Sequence, residues 1–505
     1  MAWIRAKAVW LLMIAVGLFI VLGLWNLDWK PMPVMGLGHA LNDQVQYISG
    51  ARNLSERGQL QTNVILPSTL GQQTKTKILY VPGHYWILSL AFLLFGVNFL
   101  SSISFSLLGY VAIVAAVYLC GNKLFGKKAG ILAAILTLMF PFYLLFSLTA
   151  MAEMSVIASS IIAMLIFLYL PFQRKTVLGP VVAMIPIFFR ETSLIVLFPM
   201  AALIWREAAP DQKLKETLRF IGASLLLGFL VVKGLFGGRP DLIRANVFGS
   251  FSDIYTDAMS YSQMKPTLLS WVTVGSSRLV DNLWLVIKEK PWDAETFTMK
   301  LLLMSTMVIM VRGIKNRDVF ESSIGLMGLV LWVAILSIYA VTGYRGLRTS
   351  LVLGPFFALV LGHWMSNFKG KPVWIAVMLI GFSITSYQSS FRGLVKDFPA
   401  ERERETKIIR VIDELNLNKE KIVVAPFWLV YPWVSQNYPV RYSFLPHNHY
   451  SFRLLQGVGQ VGSVLLHESE LTVMPLDTLK MLGFKTSKEF NFEGNKYLLL
   501  VQSNS

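Results

Sequence analysis

A single cysteine, Cys120, is all the thiol in the 505 residues. It sits inside an apolar run, so an intramolecular disulfide is excluded. Charge is also scarce: Asp, Glu, Lys and Arg make up 15% of the chain, against about 25% in soluble domains. With 54% hydrophobic residues and a mean hydropathy of +0.56, this excludes an ordinary soluble enzyme and points to a polytopic membrane protein. The apolar runs are continuous rather than alternating, so the spans are helices.

Familiar chemical signatures are missing as well. There is no P-loop, no G-x-G-x-x-G after a strand and no H-E-x-x-H. His84, His363, His447, His449 and His467 show no ligand spacing, and His447–Asn448–His449 reads as a solvated loop. No cofactor is indicated, and no metal. No repeat of 20–50 residues is present. Acid is the scarcer sign: 46 Lys and Arg against 29 Asp and Glu give a net charge of +17. These basic residues fall in short clusters between apolar runs, as the positive-inside rule requires, and no tandem aromatic/basic pattern suggests nucleic acid.

That rule sets a topology. Arg5 and Lys7 place the N-terminus in the cytoplasm, ahead of a first span, Val9–Trp25, which lacks an A-x-A cleavage site and is expected to remain uncleaved. Residues 27–100 then form a long outer loop. Within it His84–Phe95 is apolar but too short to cross, and reads as a shallow, re-entrant or surface helix. Phe105–Cys120 runs inward to Lys123, Lys127 and Lys128. Ala129–Phe146 runs outward, and the chain returns to Gln173–Lys175. A span pair follows, interrupted at the outer side by Arg190 and Glu191. Ile221–Phe236 leads to a second outer loop, 237–297. Lys300–Val311, Ile324–Ala340, Leu351–His363 and Val373–Tyr387 complete about 11 transmembrane helices. From Gln388 the chain turns polar. Residues 389–505 read as a small extracytoplasmic C-terminal α/β domain beside the transmembrane module of 1–388. It has a helix over Glu401–Leu415, strands at Lys421–Pro426, Val440–Phe444, Ser463–Leu466 and Tyr497–Val501, and a turn at Glu493–Lys496.

Ala40–Gly58 is the first polar stretch after the N-terminal span. Tyr47, Ile48, Ala51 and Leu54 share a helical face, with Arg52, Asn53, Glu56 and Arg57 largely elsewhere, which suits a helix lying on the bilayer surface. Asn42 or Asp43 would cap it, and a helix N-terminus favours an ionised carboxylate, as a general base needs. Glu153, among Met151, Ala152 and Met154, is a second lone acid at the same face; its plainer reading is a solvated loop residue. Arg190, Arg345 and Arg348 are arginines where the charge rule disfavours them. Arg345 and Arg348 lie three apart and can face one way, as a phosphate clamp would. The plainer readings are snorkelling to headgroups and a local Arg190–Glu191 pair.

In order and topology the chain resembles the GT-C glycosyltransferases, nearest the protein O-mannosyltransferase-like families, which include the lipid A aminoarabinose transferases. The resemblance rests on Asp43-Gln-Val-Gln-Tyr47 with Ala51 and Gly58, Val81-Pro-Gly-His-Tyr-Trp86 with Leu94-Phe-Gly96, Leu124-Phe-Gly126 through Pro141 to Glu153, and Tyr344-Arg345 with Arg348 and Pro355. It implies Asp43 as the base on an acceptor hydroxyl and Glu153 as an acid positioning acceptor or base. It further implies Arg345 or Arg348 on the carrier phosphate, with Tyr344 and Arg190 beside that group, and His84 near the carrier head. The implied donor is a polyprenyl-phosphate-linked sugar. The implied acceptor is a glycolipid, glycan or protein, among membrane lipids, at the outer face of the cytoplasmic membrane. Gln44 stands where many relatives carry a second acid, and Leu79, Tyr80 and Val81 are apolar where the lipid A enzymes carry one. The WWD-type motif of oligosaccharyltransferases is absent. The rival classes are a transporter or lipid-carrier flippase, for which inverted repeats and mid-membrane broken helices are not evident, and an assembly protein without catalysis.

Overall fold

The computed structural model describes residues 41–65, 81–235, 279–284, 286–288, 294–338, 344–367, 381, 398–418, 420–425, 442–443, 461–472 and 474–503. The expected spans Val9–Trp25 and Val373–Tyr387, most of the outer loop 237–297 and the His447–His449 segment lie outside the described residues, as do the side chains of Asp43, Glu191, Tyr344 and Arg345.

In chain order, α1 (Leu41–Arg57) precedes the short strand β1 (Val64–Ile65). Then come α2 (Gly83–Phe95), α3 (Phe99–Phe125), α4 (Lys127–Leu138), α5 (Tyr143–Ser147), α6 (Glu153–Tyr169), α7 (Phe172–Met184) and α8 (Leu197–Glu207). They are followed by α9 (Lys213–Leu235), α10 (Ala294–Asn316), α11 (Val319–Ile338), α12 (Tyr344–Ser350) and α13 (Gly354–Asn367). The remainder holds α14 (Phe398–Asp413), β2 (Ile422–Val424), β3 (Tyr442–Ser443), β4 (Val461–His467), α15 (Leu476–Met481), β5 (Phe484–Phe492) and β6 (Asn495–Gln502).

Against the expected eleven spans, four described helices are long and apolar enough to cross a membrane: Leu100–Phe125, Thr296–Asn316, Val319–Ser337 and Leu347–Asn367. Helix α2, at 13 residues, is shorter than a span, as its length in the sequence suggested. The run expected to stay helical to Phe146 instead stops at Leu138. Pro141 has no N–H to continue the ladder, and Phe142 turns through the left-handed region at φ 70°. Likewise α7 tightens at Pro186 into 3-10 turns over Ile185–Phe188 and Glu191–Val196, with Arg190 extended between them.

The described residues fall into two compact units. The first holds 81–84 and the helices between residues 103 and 381. Small residues set its helix spacing. A Cβ on Gly362 would lie 2.7 Å from the Ala133 nitrogen and 2.8 Å from the Ala129 oxygen, so α13 and α4 touch backbone to backbone. Tyrosine hydroxyls take up carbonyls at helix ends: Tyr110 donates to Leu138 (2.7 Å) and Tyr143 to Leu351 (2.8 Å). Asp318 Oδ1 caps α11 by accepting from the amides of Phe320 and Glu321. Nearby, Trp364 Nε1 donates to the buried Glu321 (2.6 Å), and Arg312 stacks on the Trp364 ring at 4.2 Å.

The second unit holds 41–65, 85–102 and the described residues from 398 onward. Its sheet has the order β1-β3-β2-β4-β6-β5. The first four strands are parallel, while β4–β6 and β6–β5 are antiparallel. Val424, Val464, Leu466, Leu498, Leu500 and Phe484 form its core. The β5–β6 hairpin turns on Glu493 (φ 50°) and Gly494 (φ 78°), the two positive φ values of a tight primed turn. Strand β1 comes from the segment expected to form the first outer loop. It pairs Val64 with Tyr442 and Ile65 with Ser443, an addition two apolar residues could not announce.

Helix α1 is fastened within this unit by packing and by polar bonds. A Cβ on Gly50 would meet the buried Tyr85 ring at 2.5 Å, and Tyr47 lies 5.1 Å from that ring. Asn53, expected largely off the apolar face, is buried. Its amide donates to the Gln61 carbonyl (2.5 Å) and to Asn63 Oδ1 (2.9 Å), while Ser49 and Thr62 hydroxyls meet at 2.9 Å. Gly58 (φ 67°) ends the helix, as its place in the sequence suggested.

Replacing Gly362 with alanine forces the two backbones apart, and overpacking of this kind costs about 1–3 kcal/mol. Differential scanning fluorimetry of the detergent-purified chain should show Gly362→Ala melting several degrees below wild type; an unchanged midpoint would contradict the close helix contact.

Candidate functional site

Every residue from 141 to 160 is buried, although 141–152 is largely irregular chain whose carbonyls need partners. Local hydroxyls supply several. Ser147 donates to Leu144 (2.6 Å) and Thr149 to Phe146 (2.9 Å). His84, one residue into α2, supplies another across the fold: its Nε2 lies 2.9 Å from the Ala150 carbonyl. Because a carbonyl only accepts, Nε2 carries the proton, and Nδ1 accepts from Ser155 Oγ at 3.0 Å. The imidazole thus ties together the two sides of Glu153. A close approach of α2 permits this, since a Cβ on Gly83 would overlap the Phe188 carbonyl. Burial pushes the His84 pKa down to about 4, against smaller upward pulls from the Ala150 carbonyl and Glu153, so the ring is neutral near pH 7.

Glu153 opens α6 and is 1% exposed, at the helix end where a carboxylate is favoured. Three N–H groups converge on its Oε1: Arg348 Nη2 at 2.5 Å, Arg348 Nε at 2.8 Å and Arg190 Nη2 at 3.2 Å. The break in helix between α7 and α8 delivers Arg190, and α12, at the mouth of the α13 span, delivers Arg348. Arg348 is 9% exposed and Arg190 19%. Two guanidinium groups thus meet on one carboxylate oxygen. Such a cluster is suited to receive an anion that develops or arrives there.

The structure therefore brings together Glu153, Arg190, Arg348 and His84. Arg190 pairs with Glu153, a partner 37 positions away that sequence neighbourhood did not offer. Glu153 is a buried ion-pair acceptor rather than a solvated loop residue. His84 spends both ring nitrogens on protein groups. Tyr344 and Arg345 share α12 with Arg348. Asp43 lies inside α1, which already runs from Leu41, rather than ahead of the helix as a cap. It belongs to the second unit. Ser155 and the Ala150 carbonyl were not anticipated; a serine in an apolar helix carries no signal of its own. Among the described residues, no three His, Cys, Asp or Glu side chains gather as a metal site would require.

Residues 80–234 match the family model described as dolichyl-phosphate-mannose-protein mannosyltransferase. The fold is similar to that of ArnT from Cupriavidus metallidurans bound to undecaprenyl phosphate, at 12% identity over 97% of each chain and a TM-score of 0.55. Against the same protein in the apo state the values are 11%, 99% of each chain and 0.57. The archaeal oligosaccharyltransferase AglB from Archaeoglobus fulgidus, in complex with an inhibitory peptide and a dolichol-phosphate, is also similar. It is 12% identical over 98% of this chain and 74% of that one, with a TM-score of 0.52. At these identities the likeness is one of fold. No curated protein sequence matched the chain.

The cluster has two measurable consequences. Arg348→Gln removes two of the three N–H groups that meet Glu153 Oε1. Removing one member of a buried pair costs about 3 kcal/mol, so the melting midpoint should fall by several degrees and recover in Arg348→Gln/Glu153→Gln; additive losses would deny the pairing. For His84, the unfolded ring titrates near 6.5 and the folded one at about 4. The unfolded chain thus binds more protons in that interval, and stability should drop by on the order of 3 kcal/mol as pH falls from about 6.5 to about 4, then level off. Chemical denaturation across this range should show a shallower slope in His84→Gln, and an identical slope would refute the assignment.

Proposed function

We propose that this chain is a GT-C superfamily glycosyltransferase that moves a sugar from a polyprenyl-phosphate carrier to an acceptor hydroxyl of a cell-envelope glycolipid, glycan or protein. The observation that carries this reading is the buried Glu153 oxygen shared by two guanidinium groups. A lipid-phosphate sugar already has a leaving group. The protein must supply a base, positive charge for the departing phosphate, and shelter from water.

In this reading the Asp43 carboxylate takes the proton of the acceptor hydroxyl as its oxygen bonds to the anomeric carbon. The bond from that carbon to the phosphate oxygen breaks, and the electron pair leaves with the polyprenyl phosphate. One displacement inverts the anomeric centre. Arg348 and Arg190 receive the phosphate charge, with Arg345 and Tyr344 from the same short helix as Arg348. Glu153 aims the guanidinium groups, whose N–H donors suit a phosphate. His84 holds the chain on either side of Glu153. The presence of undecaprenyl phosphate on ArnT, and of dolichol-phosphate and a peptide on AglB, supports a lipid-phosphate donor and these acceptor classes.

The reading places the site at the outer face of the cytoplasmic membrane, with the N-terminus inside and the C-terminal domain outside. Two contacts within the first unit support opposite ends for charge and chemistry. Lys128, at the start of α4, reaches the Ser366 carbonyl at the end of α13, whereas Tyr143, beyond the end of α4, bonds Leu351, just before α13. These helices are antiparallel. The basic cluster Lys123, Lys127 and Lys128 therefore sits at the end remote from Arg348, as a cytoplasmic cluster should.

Mass spectrometry of surface glycolipids and glycoproteins from a deletion strain, complemented with wild type or Asp43→Asn, tests the proposal. Wild type should restore a sugar that Asp43→Asn, expressed at equal level, does not. Full restoration by the variant would remove Asp43 from the mechanism.

A further inference from the structure

Within the second unit, the buried polar side chains of α1 mostly have an evident purpose. Ser49 and Asn53 tie the helix to residues 61–63. Gln46 does not fit that pattern. It is 1% exposed, and its side-chain Oε1 has no hydrogen-bond partner among the described residues. Its backbone carbonyl accepts from Ser49 Oγ at 3.2 Å. An amide oxygen stripped of water without a replacement bond destabilises the fold. A protein has reason to keep one where something outside the chain completes it.

The position says what that something is. Gln46 lies three residues from Asp43, about one turn along the same helix. Asp43 is the residue to which the proposed function gives the acceptor proton. A neutral acceptor oxygen one turn away adds no charge that would perturb a carboxylate base. It would instead take a hydrogen bond from a substrate hydroxyl. Sites built to bond a hydroxyl discriminate strongly, because a ligand lacking it leaves the buried partner unpaired.

We propose that Gln46 is a substrate-binding and specificity-determining residue whose side-chain oxygen accepts a hydrogen bond from a hydroxyl of the transferred sugar or of the incoming acceptor. This rests on Asp43 acting at the same substrate.

The test is Gln46→Met, which keeps length and bulk and deletes the amide. If the oxygen awaits a ligand, its removal relieves an unpaired buried group. The melting midpoint of the detergent-purified full chain should then stay level or rise. Glycan product in the complemented deletion strain should fall at least tenfold at equal expression. Unchanged product overturns the proposal. A fall in the melting midpoint of several degrees also overturns it, because the amide would then be a structural group. Asp43→Asn, run alongside, separates the two claims. Product lost in Asp43→Asn but intact in Gln46→Met sinks this inference alone. The reverse sinks the base and leaves the hydroxyl contact standing. A panel of methyl pyranosides, followed by saturation-transfer NMR on the purified chain with undecaprenyl phosphate present, then identifies the hydroxyl. Loss of the wild-type signal in Gln46→Met assigns it to the sugar, and its retention assigns it to the acceptor.

Discussion

A carboxylate oxygen gripped by three N–H groups is the constraint on which the site depends. Burying a lone carboxylate is costly, and burying a lone guanidinium is no better. Glu153, Arg190 and Arg348 are therefore acceptable only together. Their meeting fixes three otherwise independent pieces of chain: the N-terminus of α6, the break between α7 and α8, and the short helix before α13. The irregular course from Pro141 to Ala152 follows from the same requirement. It must deliver Glu153 to the cluster while buried, so its carbonyls are absorbed by Ser147, Thr149 and His84.

Among the described residues, Glu153 gathers the guanidinium groups of Arg190 and Arg348 on one oxygen, which sets their N–H donors where an anion can be received. A neutral His84 at its flank contributes hydrogen bonds without adding charge. The remote end of the same helices shows the opposite balance of roles. There Arg312, Glu321 and Trp364 form a compact structural knot at the ends of α10, α11 and α13.

Much of this architecture was legible in the sequence where periodicity and charge act locally. The α1 helix with its Gly58 stop, the short apolar α2, the span of α3, and the C-terminal strands with their Glu493–Gly494 turn all follow from local pattern. Glu153, Arg190 and Arg348 could be singled out because ionised side chains among apolar residues are conspicuous. Their mutual pairing could not, since it joins residues 37 and 195 positions apart. The same limit hid the burial of Asn53, which depends on Gln61 and Asn63 folding back. The stop at Leu138 was visible in Pro141 in hindsight, but the apolar run continued past it and periodicity alone favoured a longer helix. In the sequence Gln46 was one residue of the stretch Asp43-Gln-Val-Gln-Tyr47 and was given no role of its own. Only the burial of its side chain sets it apart.

The edge strand from the first loop carries a consequence for biogenesis. Val64 and Ile65 leave the ribosome well before the strand they pair with, Tyr442–Ser443, which is made 378 residues later (442 less 64). Until then the earlier segment has an unsatisfied backbone edge, and the loop that bears it is unfinished. The second unit therefore closes only after Tyr442–Ser443 has been translated. A nascent chain interrupted before that moment would hold a segment, Val64–Ile65, that still waits for its partner strand.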